Sequence, residues 1–333
     1  RPPRSTLFPY TPLFRSGGTG SQGLSVGIGD DAAVLQHAGG RLVVTTDLLV
    51  EGVHFDLTYT SAYDLGWRSM AANLSDIAAM GALPRWGFLS LGLPGPPEED
   101  FVASLVRGMA DLAGPQGLVL AGGDTVKSPQ VVINLCLIGA AAGVNPLLRS
   151  GALPGQAICV TGSLGASAAG LAWLREGGAK DDPRAAGAVA AHLRPVPRLV
   201  AGRALATSGR VGAMMDLSDG LASDLARICR ASQVGAVVEA AALPIAQETR
   251  TLAAAQGIDP LDWAVKGGED FELLFTCDPD QVKLLAELVA DSSPGLGLTP
   301  VGRVGEGRGV VLNLPDGSAR DITLGGYDHF RRP

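Results

Sequence analysis

Residues 41–82 read RLVVTTDLLVEGVHFDLTYTSAYDLGWRSMAANLSDIAAMGA. The opening ten are rich in Val, Leu and Thr, side chains that suit a pleated strand. Residues 64–82 then turn Ala-rich, the composition of a helix. Outward from this stretch, WGFLSLGL (86–93) and VVINLCLIGAA (131–141) repeat the strand pattern around a helix predicted from about Glu98 to Ala113. The order is βαβαβ.

The segment RSGALPGQ (149–156) interrupts with Gly and Pro before a new apolar run, AICVTG (157–162), as linkers and domain starts do. We expect an N-terminal domain over 17–148 and a C-terminal domain over 149–333. The second half reads as strand 157–162, a helix from Ala166, a long helix before Gly209, strand GAMMD (212–216) and a helix from Leu221. Strands AVVEA (236–240) and FELLFT (271–276) follow, then a final helix and strands. The expected fold class is α/β (α+β) in two domains, with a ligand site in the cleft between them. A chain of 333 residues is long enough for each domain to bury its own core.

Residues 1–16, RPPRSTLFPYTPLFRS, lack a starting Met, nearly duplicate themselves and match neither helix nor strand periodicity. They read as a foreign or disordered leader. Prolines interrupt them and no small-residue cleavage site follows, which argues against export. Elsewhere no apolar run approaches the roughly 20 residues of a membrane span. A net charge of -7 with scattered Lys and Arg lacks the footprint of a nucleic-acid binder, so polyanionic partners would need metal ions here. Cys136, Cys159, Cys229 and Cys277 stand singly in apolar surroundings, without zinc-ligand spacing, and read as reduced core residues.

The chemistry is written in aspartates from five segments. They are GIGDDAAV (27–34) with Asp30 and Asp31; VVTTDLLVEGVHF (43–55) with Thr45, Thr46, Asp47 and His54; AANLSDIAAMGA (71–82) with Asp76; LVLAGGDTV (118–126) with Gly122, Gly123 and Asp124; and AMMDLSDGLASDL (213–225) with Asp216, Ser218 and Asp219. Each has an ordinary reading: a polar turn at Asp30 and Asp31, a helix N-cap at Ser75 or Asp76, a tight glycine turn before Asp124, a cap of the following helix by Asp219. Together they are all carboxylate or hydroxyl, a donor set that favours Mg²⁺ over Zn²⁺. Magnesium is usually held by few carboxylates plus substrate phosphates, so this abundance points to ions around a polyphosphate, most simply ATP. The stretch VTGSLGASAAG (160–170) follows a strand and opens a helix but lacks the Lys and Ser/Thr of a Walker A loop. Gly162 and Gly165 are therefore read as packing glycines.

In order along the chain, GIGDDAA, TTDLLVEGVHF, NLSDIAAMGA, GGDT, RSGALPG, VTGSLGASAAGL, HLRP, DLSDGLASDL, GGEDFELLF and the terminal GYDHF resemble the thiamine-monophosphate kinase family, from about Gly27 to the end. The resemblance extends to the wider superfamily of aminoimidazole ribonucleotide synthetase. It implies an N-terminal domain with a mixed sheet that dimerises and a C-terminal α/β domain that completes a nucleotide cleft. It implies Asp31, Thr45, Thr46, Asp47, Asp76, Asp124, Asp216 and Asp219 for magnesium, and Gly123, Asp124, Arg149 and Ser218 for ATP. It implies His54, Glu269 and Tyr327 for thiamine monophosphate, although His54 alone reads as a structural hydrogen-bonder. The implied protein is a cytoplasmic homodimer, with neither nucleic acid nor membrane as partner, that uses Mg²⁺ and ATP to phosphorylate thiamine monophosphate. The amino end departs from the family, whose helical segment before GIGDD is replaced by the leader. Two other readings stay open: another ATP-dependent enzyme of the superfamily, such as a selenophosphate synthetase, or a non-catalytic nucleotide- or metal-binding dimer. The former would place a reactive Cys near the start, and no Cys precedes Cys136.

Overall fold

The computed structural model describes residues 23–27, 29–37, 39–95 and 99–325. The leader over 1–16 and Tyr327 lie outside the described residues.

Six strands form the first sheet: β1 (Leu24–Val26), β2 (Ala33–His37), β3 (Gly40–Val50), β4 (Leu83–Leu93), β5 (Val119–Lys127) and β6 (Val132–Ala140), in the order β1-β2-β3-β6-β4-β5. The β4–β5 pair is parallel and the others are antiparallel. Among the described residues, helix α1 (Ala62–Ala79) packs on one face and α2 (Glu99–Ala113) packs against α1. The start of α1 is fixed by Ser61, whose hydroxyl accepts from the Asp64 amide at 3.2 Å and donates to the Asp64 carboxylate at 2.7 Å. This reciprocal cap satisfies an otherwise orphaned amide. Ser75 and Asp76, read above as a helix start, therefore sit in the last turn of α1. The apolar residues on both sides of them belong to a single helix.

Seven strands form the second sheet: β7 (Ala157–Thr161), β8 (Val211–Asp216), β9 (Gly235–Glu239), β10 (Leu273–Cys277), β11 (Leu298–Gly305), β12 (Gly309–Asn313) and β13 (Ala319–Asp321). Their order is β13-β12-β9-β11-β7-β10-β8. The helices of this half are α3 (Ala166–Arg175), α4 (Ala186–Leu193), α5 (Leu199–Ser208), α6 (Leu221–Ser232), α7 (Gln247–Ala255), α8 (Pro260–Lys266) and α9 (Val282–Ser292). The long helix expected before Gly209 is thus two, α4 and α5. Pro195 and Pro197 fall between them, and proline cannot continue a helix.

Every residue of β7 is buried. Cys159 joins one apolar cluster while Ile158 and Val160 join another, so the second sheet is covered on both faces. The first of these clusters runs without a break from Val43 and Leu135 of the first sheet, through Leu74 and Ile77 of α1, to Met214 and Phe275 of the second. Helix α1 is thus the shared wall of the two halves. All four cysteines are free; Cys159, Cys229 and Cys277 are buried and Cys136 is half-buried. No helix among the described residues is long and apolar enough to cross a membrane.

Gly122, Gly123 and Asp124 lie inside edge strand β5, where the sequence suggested a tight turn. The glycine has a packing reason, since a Cβ on Gly123 would meet the Leu89 carbonyl oxygen of β4 at 1.7 Å. The crossing of α1 and α2 has the same origin. A Cβ on Gly66 would lie 1.9 Å from the Leu105 carbonyl, and one on Gly108 would lie 2.0 Å from that of Tyr63. Neither backbone can yield without separating the helices. Gly108→Ala is expected to destabilise the fold by about 1–3 kcal/mol through overpacking, read as a lowered thermal midpoint.

Candidate active site

Alternation along β3 puts Val43, Thr45 and Leu49 on the face packed by α1, with Asp47 in the same register. Thr46 is exposed on the opposite face, where its hydroxyl accepts from the Asn134 side chain at 2.9 Å. On α1, residues 64, 68, 72 and 76 recur every fourth position and share a face. Arg68, Ala72 and Asp76 from that face line a cavity of about 1350 Å³ between the halves. Asp216 ends β8, and Ser218 and Asp219 occupy the turn before α6; all three line the same cavity. Asp47, His54 and Glu269 do so as well.

Carboxylate oxygens of Asp31, Asp76 and Asp216 lie within 4.8 Å of one another. Thr45 donates its hydroxyl proton to Asp76. Ser75 donates to Asp216 at 2.7 Å. Arg149 donates to Asp31 through Nε at 3.1 Å and Nη2 at 2.5 Å, while its backbone amide donates to the Asp30 carboxylate. The second oxygen of Asp31 is buried with no partner among the described residues. Burial pushes Asp76 and Asp216 well above the usual carboxylate range, and the neighbouring carboxylates push them further. Asp47 rises to about 6, first by burial and then by Asp219 and Asp31. Burial also raises Asp31, against the pull of Arg149. An oxygen-only, buried to half-buried, mutually repelling set with an orphaned oxygen fits a hard divalent cation.

Three residues named above stand apart from this cluster. Gly123 and Asp124 are exposed on β5 and do not line the cavity; Asp124 accepts from the Thr125 amide at 2.8 Å. Thr46 faces away. Asp219 does not cap α6, whose cap position is Gly220 without a side-chain bond. Asp219 accepts instead from Arg227.

Sequence reasoning passed over the buried Asp224, and it read the half-buried Asp270 only as a flank of the following strand or part of an acidic lining. Asp224, in the first turn of α6, accepts from the Ser218 and Asp219 amides at 3.0 Å each and so shapes the loop that carries Asp219. The spacing SDGLASD, with an acid in the first helical turn, is the signal that could have found it. Asp270 accepts from the amides of Gly165 at 2.7 Å and Ser167 at 3.1 Å. The start of α3 is thereby filled by the chain's own carboxylate, so the 160–170 stretch is not a phosphate loop. Gly165 is a packing glycine, as read: a Cβ there would meet the Ala264 amide nitrogen at 2.8 Å.

Also on the cavity wall, the Val50 amide donates to His54 Nδ1 at 3.0 Å, which places the proton of a neutral ring on Nε2. Glu269 accepts from Arg68 Nη2 at 2.5 Å. His192 lies 3.7 Å from the Glu269 carboxylate and is hydrogen-bonded through Nδ1 to the Ser167 hydroxyl at 3.1 Å. Burial, then Arg68 and Arg175, hold it neutral, down at about 2.

Residues 29–144 match the family of AIR synthase related proteins, N-terminal domain, and residues 154–315 match the corresponding C-terminal domain. The thiamine-monophosphate kinase of Bacillus subtilis (strain 168) is 36% identical over 316 residues, covering 92% of this chain and 94% of that protein. This chain belongs to the thiamine-monophosphate kinase family. The family's member from Escherichia coli (strain K12) is 38% identical over 315 residues, 93% of each chain. A solved structure of AaThiL complexed with AMPPCP and TMP superposes with a TM-score of 0.80 at 32% identity, covering 91% of this chain and 92% of the other. Hydrogenase maturation protein HypE, 20% identical at a TM-score of 0.70, shares the fold.

The raised carboxyls carry a stability consequence. Between pH about 4, where an unfolded Asp ionises, and about 7, the folded protein holds protons that the unfolded chain has released. Asp30 is held at about 7 by burial and by Asp31. Stability without divalent cations therefore falls as pH rises through that window. Groups with lowered values, such as Asp182 at about 2, act below it. In chelator, the thermal midpoint is expected to drop from pH 5 to 7, and Asp216→Asn to raise the pH 7 midpoint by at least about 2 °C. An unchanged midpoint in that variant would contradict the repulsion.

Proposed function

We propose that the chain transfers the γ-phosphoryl group of ATP to thiamine monophosphate, giving thiamine diphosphate and ADP, with Mg²⁺ as cofactor. The observation that carries this reading is the cluster of buried Asp31 and Asp216 with half-buried Asp76, beside a large cavity, in a chain of this family. AaThiL, of the same fold, holds AMPPCP, an ATP analogue, and TMP. The chain is organised as two domains, 17–148 and 149–333, with the cavity between them.

Asp31, Asp47, Asp76, Asp216 and Asp219, with the Thr45 hydroxyl, would hold the cations. Thr46 and Asp124, which the family resemblance also implies, stand outside that set here. Bound Mg²⁺ supplies charge neutralisation that lets two polyanions approach in line. Arg149, paired with Asp31, and Ser218 bring the nucleotide to the same end of the cleft. His54 and Glu269 receive the acceptor, whose cationic thiazolium suits an acidic wall. An acceptor oxygen that is already anionic needs no strong general base, and the chain's contribution is positioning and field.

The same reading includes a homodimer in the cytoplasm, where free thiols persist. The face of the first sheet opposite α1 exposes Leu48, Trp86 and Phe88 at 52%, 45% and 41%. Edge strand β5 adds exposed Val119 and Val126. A contiguous apolar face of this kind marks a protein interface. Sedimentation is expected to give a dimer for the wild type and a monomer for the Trp86→Asp, Phe88→Asp double variant.

A magnesium-dependent ADP assay tests the activity. Thiamine monophosphate is expected to support ADP release and unphosphorylated thiamine is not, because the proposed transfer relies on an acceptor oxygen that is already anionic. Asp47→Asn is expected to lower turnover by at least about a hundredfold, the scale of lost charge stabilisation in such sites. Equal turnover of thiamine, or near-normal rates in the variant, would sink the proposal.

A further inference from the structure

Glu269 is held in a demanding way. Its backbone sits at φ +64 and that of Phe271 at +49, conformations uncommon for side chains of this size. The loop is pinned there by the 217–218 backbone: the Glu269 amide donates to the Ser218 carbonyl at 2.8 Å, and the Phe271 amide to that of Leu217 at 2.9 Å. Strain of this kind persists where the surroundings over-determine it. The side chain is fixed separately, from across the cleft. Arg68, two turns before Asp76 on the same face of α1, reaches it with one nitrogen, and Nη2 contacts both carboxylate oxygens.

The burial of the pair is lopsided. The Arg68 side chain is 3% exposed and that of Glu269 31%. Arg68 therefore stands behind the carboxylate, and Glu269 presents itself to the cavity. The Arg68 Nε and Nη1 groups are buried without a hydrogen-bond partner among the described residues. Burying unpaired guanidinium N–H groups costs stability, and an apolar residue of similar length would serve packing at least as well. His192 Nδ1 lies 3.7 Å from the carboxylate but bonds the Ser167 hydroxyl. A costly arginine whose described hydrogen bonds all go to one cavity-facing carboxylate is there for that carboxylate's orientation.

We infer that Arg68 is a positioning residue that fixes the Glu269 carboxylate for the acceptor and thereby sets affinity for the acceptor without touching the nucleotide end. This rests on the function proposed above. Arg68 and Asp76 are eight residues apart on α1, about 12 Å along the helix, so the acceptor wall and the cation cluster are served by one rigid element.

The test measures KM for thiamine monophosphate and for ATP separately, with kcat, in wild type, Arg68→Met, Arg68→Lys, Glu269→Gln and the Arg68→Met, Glu269→Gln double variant. Arg68→Met is expected to keep its thermal midpoint, raise KM for thiamine monophosphate about tenfold and leave KM for ATP within about twofold. Arg68→Lys is expected to recover most of the loss, since only one nitrogen of the fork is used. The double variant is expected to be no worse than Glu269→Gln alone, the signature of one residue acting through another. If Arg68→Met does not fold, Arg68→Gln is measured in its place. Multiplying effects in the double variant, or KM for ATP rising in step, overturns the inference while leaving the activity standing. A wild type that does not turn over thiamine monophosphate overturns both.

Discussion

Three carboxylates from three distant segments share a space of 4.8 Å, and most of what surrounds them answers that crowding. Isolated charges at such depth are expensive, and like charges together more so. Local donors relieve part of the cost: Thr45 to Asp76, Ser75 to Asp216, Arg149 to Asp31. None of these adds enough positive charge to balance the set. The packing around it is what keeps the aspartates from separating. Helix α1 is locked to α2 at Gly66 and Gly108, where no side chain fits, and is buried between two sheets.

That helix also organises the cavity lengthwise. Its four-residue repeat sets Arg68, Ala72 and Asp76 on the cavity wall in sequence. Small Ala72 leaves the space open between a carboxylate end and an end where Glu269 is held from behind. Order along the cleft thus follows from order along one element, and the loops from the second half, 216–219 and 267–271, are laid onto it and bonded to each other.

Much of this was legible beforehand. The β3 run and the α1 composition follow from local patterning, while Asp31, Asp47, Asp76 and Asp216 stood out as oxygen donors at strand ends and turns, with their metal role implied by the family resemblance. Period two also separates Thr45 from Thr46, which the family resemblance treats together. What escaped depends on approaches between distant segments. A double glycine reads as a turn, whereas Gly123 is required by the Leu89 carbonyl of the next strand. Ser75 reads as a cap, whereas the true cap lies fourteen positions earlier at Ser61. Asp224 and Asp270 satisfy loop and helix amides, a role with no composition signal of its own. The Arg68–Glu269 pair joins residues 201 positions apart, which no single-sequence periodicity encodes.

The filling of the α3 start by Asp270 has a wider meaning for how such a protein meets a nucleotide. Many phosphate binders offer a ring of backbone amides, so that the bare anion is itself attracted. Here the α3 amides are already taken, and the carboxylate end of the cleft is lined with acidic groups that outnumber the arginines beside them. A naked triphosphate would meet repulsion, while one wrapped in cations would meet complementary charge. On the function proposed above, the fold acts as an electrostatic filter that accepts the chelate and rejects the free nucleotide, and its sensitivity to ionic conditions is a property of the architecture.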